Sequence, residues 1–236
     1  IANALGWHAV YMIACGMVVF ITVLLQKYLP DVKSGFSNNY IFLLRSTLYQ
    51  VKRFSVLRVS AVLGALLFGV FCSFWTTLTF HLSKTPFNYS PDQIGLFGLV
   101  AIGGALTAPI FGKSADYGRA LHSLFFAIFL VMISVIAMHF FPASLVVLIA
   151  GIFVLDVGMQ ALQVTNVARI YSLDAQSNSR INTIYMTSYF IGGAIGTASG
   201  LFCWQKGGWA LVTWQMIGFS LMGFLVLAGS VVFAKK

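Results

Sequence analysis

The chain has 236 residues, of which 59% are apolar and only 8% are charged, and its mean hydropathy is +0.91. A typical soluble protein has roughly 45–50% apolar and about 25% charged residues. A soluble globule of this size needs a charged shell, which five acidic residues, none of them Glu, cannot supply. Because the apolar runs are long rather than alternating, composition predicts a helical integral membrane protein.

Seven apolar segments are long enough, at about 20 residues each, to cross a hydrocarbon layer of ~30 Å. Proline, glycine or polar residues separate them at positions typical of turns. The fold class predicted is therefore an all-α membrane protein with seven transmembrane helices. The predicted spans are residues 9–27, 58–81, 93–112, 121–141, 143–168, 182–203 and 209–234.

The net charge of +9 would suggest a nucleic-acid partner in a soluble chain, but its placement argues otherwise. Twelve basic residues flank one side of the seven spans and two flank the other. Cytoplasmic loops carry such an excess, so the N-terminus should lie outside and the C-terminus in the cytoplasm of a plasma (bacterial inner) membrane. The partner of the positive charge is then the lipid bilayer, not nucleic acid. The twelve are Lys27, Lys33, Arg45, Lys52, Arg53, Arg58, Lys113, Arg119, Arg169, Arg180, Lys235 and Lys236; the two are Lys84 and Lys206.

The connection 29–57 is predicted to be a cytoplasmic linker. Apolar residues recur at helical spacing beside basic ones, at Leu43, Leu44, Leu48 and Val51. This pattern indicates a short helix along the membrane interface; an irregular linker is the alternative.

Neither a metal nor another cofactor is predicted. The three cysteines lie inside apolar runs without a CxxC pair, so they are interpreted as packing residues. The four histidines lie near span ends without a shared spacing, which favours interfacial hydrogen bonding. These residues are Cys15, Cys72, Cys203, His8, His81, His122 and His139.

Asp156 is the one acidic residue inside a predicted span. At about 1.5 Å per residue it lies about 19 Å from the outer end of span 143–168, near the bilayer midplane. A carboxylate there costs roughly 2.5–3.5 kcal/mol, so it should face a cavity or a partner. Gln160, Gln163 and Asn166 continue one helical stripe. The stripe is interpreted as a proton and substrate pathway with Asp156 as the proton carrier; the alternative is that Asp156 only fixes helix packing.

Two other patterns lie in the second and sixth spans. The glycines at 192, 196 and 200 repeat every four residues, which is typical of close helix packing. Several polar and aromatic side chains are candidates for lining a cavity, although lipid-facing aromatics would give the same pattern. These candidates are Ser73, Trp75, Thr76, Tyr185 and Tyr189.

Two features suggest that the chain is part of a larger repeat. A Gly-Trp pair opens the first span at Gly6 and the last at Gly208, about one six-span unit apart. After the third span, residues 112–119 read GKSADYGR, which resembles the Gly-x-x-x-Asp-Arg-x-Gly-Arg loop signature of the major facilitator superfamily, with Tyr117 in place of Arg. The segments FWTTL (74–78), IGLFGL (94–99) and YFIGGAIG (189–196) are similar to the bacterial efflux-type branch of predicted sugar and drug exporters.

The resemblance implies that the chain corresponds to helices six to twelve of a twelve-helix transporter. Residues 1–28 would be the last helix of an N-terminal bundle that is missing from this chain, 29–57 the linker and 58–236 the C-terminal six-helix bundle. A start at Ile1, without Met, fits that expectation. The resemblance also implies that Gly112, Asp116, Gly118 and Arg119 form a cytoplasmic gate, a charged latch that opens and closes between two states.

The function predicted is proton-coupled efflux of a small molecule, drug-like or sugar-like, by alternating access, with the proton as coupling ion. No GxxxxGK[ST] sequence supports an ATP-driven pump. No HExxH motif or second ionisable group at membrane depth supports an enzyme. The alternative is a non-transporting seven-span protein, receptor-like or regulatory; an opsin is disfavoured because residues 209–234 contain no lysine for a Schiff base.

Overall fold

The computed structural model describes residues 2–29, 40–107, 109, 111 and 120–234. The chain divides into two compact units, residues 1–39 and 40–236. The first unit contains helix α1 (Ala2–Tyr28), which covers the first predicted span. It is apolar over residues 11–28 and long enough to cross a membrane.

The second unit is a bundle of helices in its described part. Proline and a serine cap set several of the helix ends: α6 stops before Pro142, and the Ser144 hydroxyl accepts the Val147 N–H at the start of α7. The helices are α2 (Tyr40–Arg53), α3 (Ser55–Leu82), α4 (Pro91–Gly95), α5 (Phe97–Ala105), α6 (Ala120–Phe140), α7 (Leu145–Tyr171) and α8 (Asn178–Ala234), with a 3₁₀ turn at Ala175–Ser177.

Within the described residues, five helices are long and apolar enough to span a membrane: α1, α3, α6, α7 and α8. This confirms the prediction of a multi-pass helical membrane protein. Helix α8 covers the sixth and seventh predicted spans together. The full count of seven spans stays a prediction, as does the division into a linker and a six-helix bundle.

Helix α8 consists of two arms, residues 178–206 and 209–234. The backbone between them leaves the helical region at Gly207 (φ −147°, ψ 16°) and at Gly208 (φ 60°, ψ −150°). The conformation of Gly208 is one that side chains with a Cβ essentially never adopt, so only glycine fits this turn. The predicted separation of spans 182–203 and 209–234 is confirmed. The Gly6-Trp7 pair differs, because it lies within the continuous helix α1.

The third predicted span, 93–112, begins as two short helices. Helices α4 and α5 are separated only by Leu96, where the Leu96 and Leu99 amides donate to carbonyls three residues back, as in a 3₁₀ turn. Gly95 and Gly98 weaken the helix at this point because glycine has a low helix propensity. Most of residues 108–119 lie outside the described part, so the length of this span stays a prediction.

Helix α3 packs most extensively against α8, and α6 packs against α7. The contact of α3 with the first arm of α8 is a backbone contact. A Cβ placed on Gly192 would meet the backbone of Ala65, and one placed on Gly196 would meet the backbone of Gly69. The role predicted for these glycines, close helix packing, is confirmed.

Helix α2 confirms that the connection 29–57 contains a helix. It is joined to the turn before α8 by an ion pair, in which Arg53 Nη1 donates to Asp174 Oδ2 at 2.9 Å. Partial burial alone would raise the pKa of the Asp174 carboxyl. Hydrogen bonds from Ser177 and the Gln176 amide, together with the Arg53 guanidinium, outweigh that effect and lower its pKa below the ordinary value.

The lowered pKa of Asp174 predicts a loss of stability in acid. Its contribution is complete above the unfolded-state pKa of about 3.9 and is lost as the pH falls through the lower pKa of the folded state. Thermal unfolding of the detergent-solubilised chain from about pH 7 to about pH 3 should therefore show a steeper loss for the wild type than for Asp174→Asn. The matched control is Asp92→Asn, which removes an exposed carboxyl at the start of α4. Identical acid profiles for wild type and Asp174→Asn would contradict this role of the ion pair.

Candidate functional site

The candidate site follows helix α7, where Asp156 occupies a buried position between apolar turns. Its side chain is 5% exposed, and Oδ2 has no hydrogen-bond partner within the part of the chain that the structure describes. An orphaned polar atom of this kind is rare in a folded protein, because its desolvation is not compensated. A carboxyl group in this setting favours a bound proton over a negative charge.

Asp156 lies against helix α5 at Gly104. A Cβ placed on Gly104 would come within 2.5 Å of the Asp156 Cβ and 3.2 Å of its backbone carbon. Only glycine allows α5 and α7 to approach this closely, and the contact lies beside the Cβ of the buried Asp156. A small separation of α5 from α7 would open space beside the acid.

The rest of the polar stripe continues along α7, as the spacing predicts. Gln160 is half-buried, and Gln163 Oε1 accepts a hydrogen bond from the Tyr185 hydroxyl at 3.1 Å. Asn166 is fully buried and lies near the same hydroxyl. Neither of its side-chain polar atoms forms a hydrogen bond of good geometry with the described residues.

Helix α7 thus concentrates polar atoms without partners. Besides Asp156 and Asn166, the Thr165 hydroxyl and Arg169 Nη1 are buried and make no hydrogen bond to the residues described. Thr165, Asn166 and Arg169 lie within about one turn of each other, and Asp156 lies about two and a half turns before Thr165. Buried polar groups of this kind are often bridged by water or by a bound ligand. Whether the stripe forms a pathway stays a prediction.

Tyr185 is one of the two fully buried residues among the candidates for lining a cavity, together with Ser73. It is fully buried, and its ring lies against Gly64 of α3 while its hydroxyl bonds to Gln163 of α7. Tyr189, one turn later, stacks on Phe68 with ring centroids 3.8 Å apart. Both aromatics therefore join helices of the bundle.

Ser73 belongs to a polar network that the sequence did not reveal. Its hydroxyl donates to Gln215 Oε1 at 2.8 Å, and Gln215 Nε2 donates to the Ser199 hydroxyl at 3.2 Å. The network connects α3 with both arms of α8. In the sequence, Gln215 stands out only as a single polar residue in an apolar run, and its partners are too distant in sequence to be identified from spacing. Trp75 and Thr76, the neighbouring candidates, are half-buried, and Trp75 Nε1 has no hydrogen-bond partner in the described ranges.

Two of the histidines form the hydrogen bonds predicted for them near helix ends. His81 Nε2 donates to the Pro142 carbonyl at 2.8 Å, and His139 Nδ1 is hydrogen-bonded to the Thr213 hydroxyl at 2.8 Å. Among the residues that the structure describes, no three His, Cys, Asp or Glu side chains are grouped as a metal site would require. The gate residues Gly112, Asp116, Gly118 and Arg119 lie outside the described residues.

Replacing Tyr185 with Phe tests the link between α7 and α8. The variant removes one hydrogen bond and leaves the side-chain amide oxygen (Oε1) of Gln163 without its donor. This should lower the free energy of unfolding by about 0.5–1.5 kcal/mol. Thermal unfolding in detergent would report the change. Tyr89→Phe, in the connection between α3 and α4, is the control and should unfold like the wild type. An unchanged unfolding temperature for Tyr185→Phe would mean that the hydrogen bond contributes nothing to stability.

The chain is similar to proteins named as transporters. It is 39% identical over 226 residues to the uncharacterized transporter YgaY of Escherichia coli O157:H7, a match that covers 96% of this chain and 57% of that protein. An uncharacterized transporter of Buchnera aphidicola subsp. Baizongia pistaciae is 24% identical over 213 residues, covering 89% of this chain and 52% of its own length. A second uncharacterized transporter, from Buchnera aphidicola subsp. Schizaphis graminum, is 20% identical over 239 residues, and the match covers 55% of that protein's length.

The chain spans about half the length of the curated relatives it matches. No protein-family model matches it.

Proposed function

We propose that this chain is the C-terminal part of a secondary active transporter of the major facilitator type, which exports a small drug-like or sugar-like molecule in exchange for protons. Two observations support a transporter: the relatives that match nearly the whole chain are named transporters, and the chain has several helices able to cross a membrane. An N-terminal six-helix half would form the second wall of the substrate cavity.

The observation that carries the proton coupling is the buried carboxyl of Asp156. In an apolar helix the uncharged form is favoured, so the group holds a proton while it is buried, with α5 packed beside it at Gly104. When α5 and α7 separate and water reaches the carboxyl, the charged form becomes accessible and the proton is released. A carboxyl that binds and releases a proton as its surroundings change is what a proton-driven antiporter needs.

The close contact of Gly104 with Asp156 supplies the link between protonation and helix position. With the carboxyl neutral, α5 and α7 can pack with the acid enclosed. A charged carboxylate in the same contact would be desolvated without a partner, which favours an open arrangement. The charge on one residue therefore biases a choice between two packings, and alternating access requires such a bias.

A flux experiment tests the proposal. The full-length protein in proteoliposomes with an imposed pH gradient should accumulate one member of a panel of labelled drugs and sugars. Nigericin, which dissipates the pH gradient, should abolish that accumulation. Accumulation that survives nigericin, or that follows a sodium gradient instead, would contradict proton coupling. Failure to move any member of a broad panel under any gradient would contradict export of such molecules.

A further inference from the structure

A second polar site lies at one end of the bundle, apart from Asp156. A cavity of about 470 Å³ opens where the start of α3, the end of α7 and the second arm of α8 meet. Its charged lining residues are Arg58 of α3 and Arg169 of α7, and no carboxylate lines it among the residues that the structure describes. The charge distribution of the sequence predicts that this end faces the cytoplasm. The cavity is therefore a basic pocket at a membrane surface.

Arg169, which lines the cavity, has a charged N–H donor without a hydrogen-bond acceptor in the described part of the chain. Its side chain is half-buried, and the Nη1 atom is enclosed without a hydrogen-bond partner among the residues that the structure describes. A charged donor left unpaired and desolvated is costly, and an anion within reach removes that cost. Asp174, the described carboxylate closest to Arg169 in the sequence, is already paired with Arg53.

Arg58 is held in place from the side of α2. Its Nη1 donates to the carbonyls of Val51 and Lys52, at 2.8 and 3.1 Å, near the C-terminal end of that helix. These bonds fix the guanidinium at the cavity while they use one of its terminal nitrogens. Because arginine has five N–H donors in a planar fork, the remaining ones can bind a second group.

The start of α3 adds to the positive character of the site. Ser55 and Val56, the first residues of this 28-residue helix, line the cavity, and Phe54 provides no side-chain cap. The amides of the first helical turn therefore have no side-chain acceptor and can donate to an anion in the cavity. Leu225 and Val226 of α8 form an apolar wall beside this charged region.

We propose that this cavity binds a phosphate group, with Arg58 and Arg169 as the charged donors. Paired guanidinium groups beside a helix N-terminus suit a tetrahedral anion with several acceptor oxygens. The phosphate can belong to the headgroup of an anionic lipid, whose acyl chains would follow the apolar wall, or to a soluble phosphate compound. The site is independent of the proton coupling proposed for Asp156.

Binding of two probes to the purified full chain tests the site. Delipidated protein in mild detergent is titrated with phosphatidylglycerol, followed by native mass spectrometry, and with inorganic phosphate, followed by thermal stabilisation. Arg58→Gln and Arg169→Gln should each weaken binding on the order of tenfold or more, because each removes charge-assisted hydrogen bonds. Arg169→Lys, which keeps the charge without the planar fork, should bind with intermediate affinity.

Lys206→Gln is the matched control, because it removes one exposed positive charge at the far end of the first arm of α8. It should bind both probes like the wild type. Binding of phosphatidylglycerol alone supports the lipid headgroup as occupant, and competition by inorganic phosphate supports a soluble one. Wild-type affinity in both arginine variants, equal weakening by Lys206→Gln, or no binding of either probe would overturn the proposal.

Discussion

Asp156→Asn is expected to abolish proton-coupled transport by the full-length protein while expression and folding stay intact. Asn has nearly the same shape as Asp, so it fits against Gly104 without widening the α5–α7 contact. Because it cannot bind or release a proton, the variant loses the charge change that would drive the helices apart. The buried carboxyl is uncharged in this packing and has no hydrogen-bond partner for Oδ2 in the described part of the chain, so a neutral amide of the same shape should leave thermal stability close to that of the wild type.

The measurement is nigericin-sensitive flux together with the unfolding temperature of the same preparation. Asp92→Asn makes the same chemical change at an exposed position at the start of α4 and should leave flux unchanged. Normal proton-coupled flux in Asp156→Asn would remove the residue from the mechanism. Loss of both flux and folding would instead support the alternative that Asp156 fixes helix packing.

The sequence predicted most helix boundaries because local chemistry sets them. Pro142, Ser144 and the Gly207-Gly208 pair end or start helices through their own backbone or capping properties, and the structure has breaks at these points. The short helices α4 and α5 departed from the prediction of one continuous span. Apolar character in that region is uniform, so hydropathy could not reveal the tight turn at Leu96.

The partners of the site residues could not be predicted in the same way. The stripe on α7 follows from helical periodicity, which places Asp156 and Gln163 on related faces. The residues that meet them, Gly104 and Tyr185, come from other helices and are brought there by tertiary packing. Ser73 and Gln215 are 142 positions apart, and nothing in the spacing of either residue connects them.

Gly196→Ala is expected to destabilise the bundle through the contact of α3 with the first arm of α8. The added methyl group would meet the backbone of Gly69, including its carbonyl, and neither helix can relieve that contact by rotating a side chain. The helices would have to separate, which also weakens the neighbouring contact of Gly192 with Ala65. Overpacking of this kind costs typically about 1–3 kcal/mol. Thermal unfolding in detergent should show a midpoint lower by several degrees.

Gly218→Ala, in the second arm of the same helix, separates this packing effect from the general effect of the substitution. A Cβ at Gly218 would meet nothing within 4 Å, so it adds only the higher helix propensity of alanine, about 1 kcal/mol. Its unfolding midpoint should equal or exceed that of the wild type. If Gly196→Ala were as stable as Gly218→Ala, the close approach of α3 and α8 would not hold in the protein. The same would follow if Gly196→Leu, which adds a larger side chain at the contact, folded like the wild type.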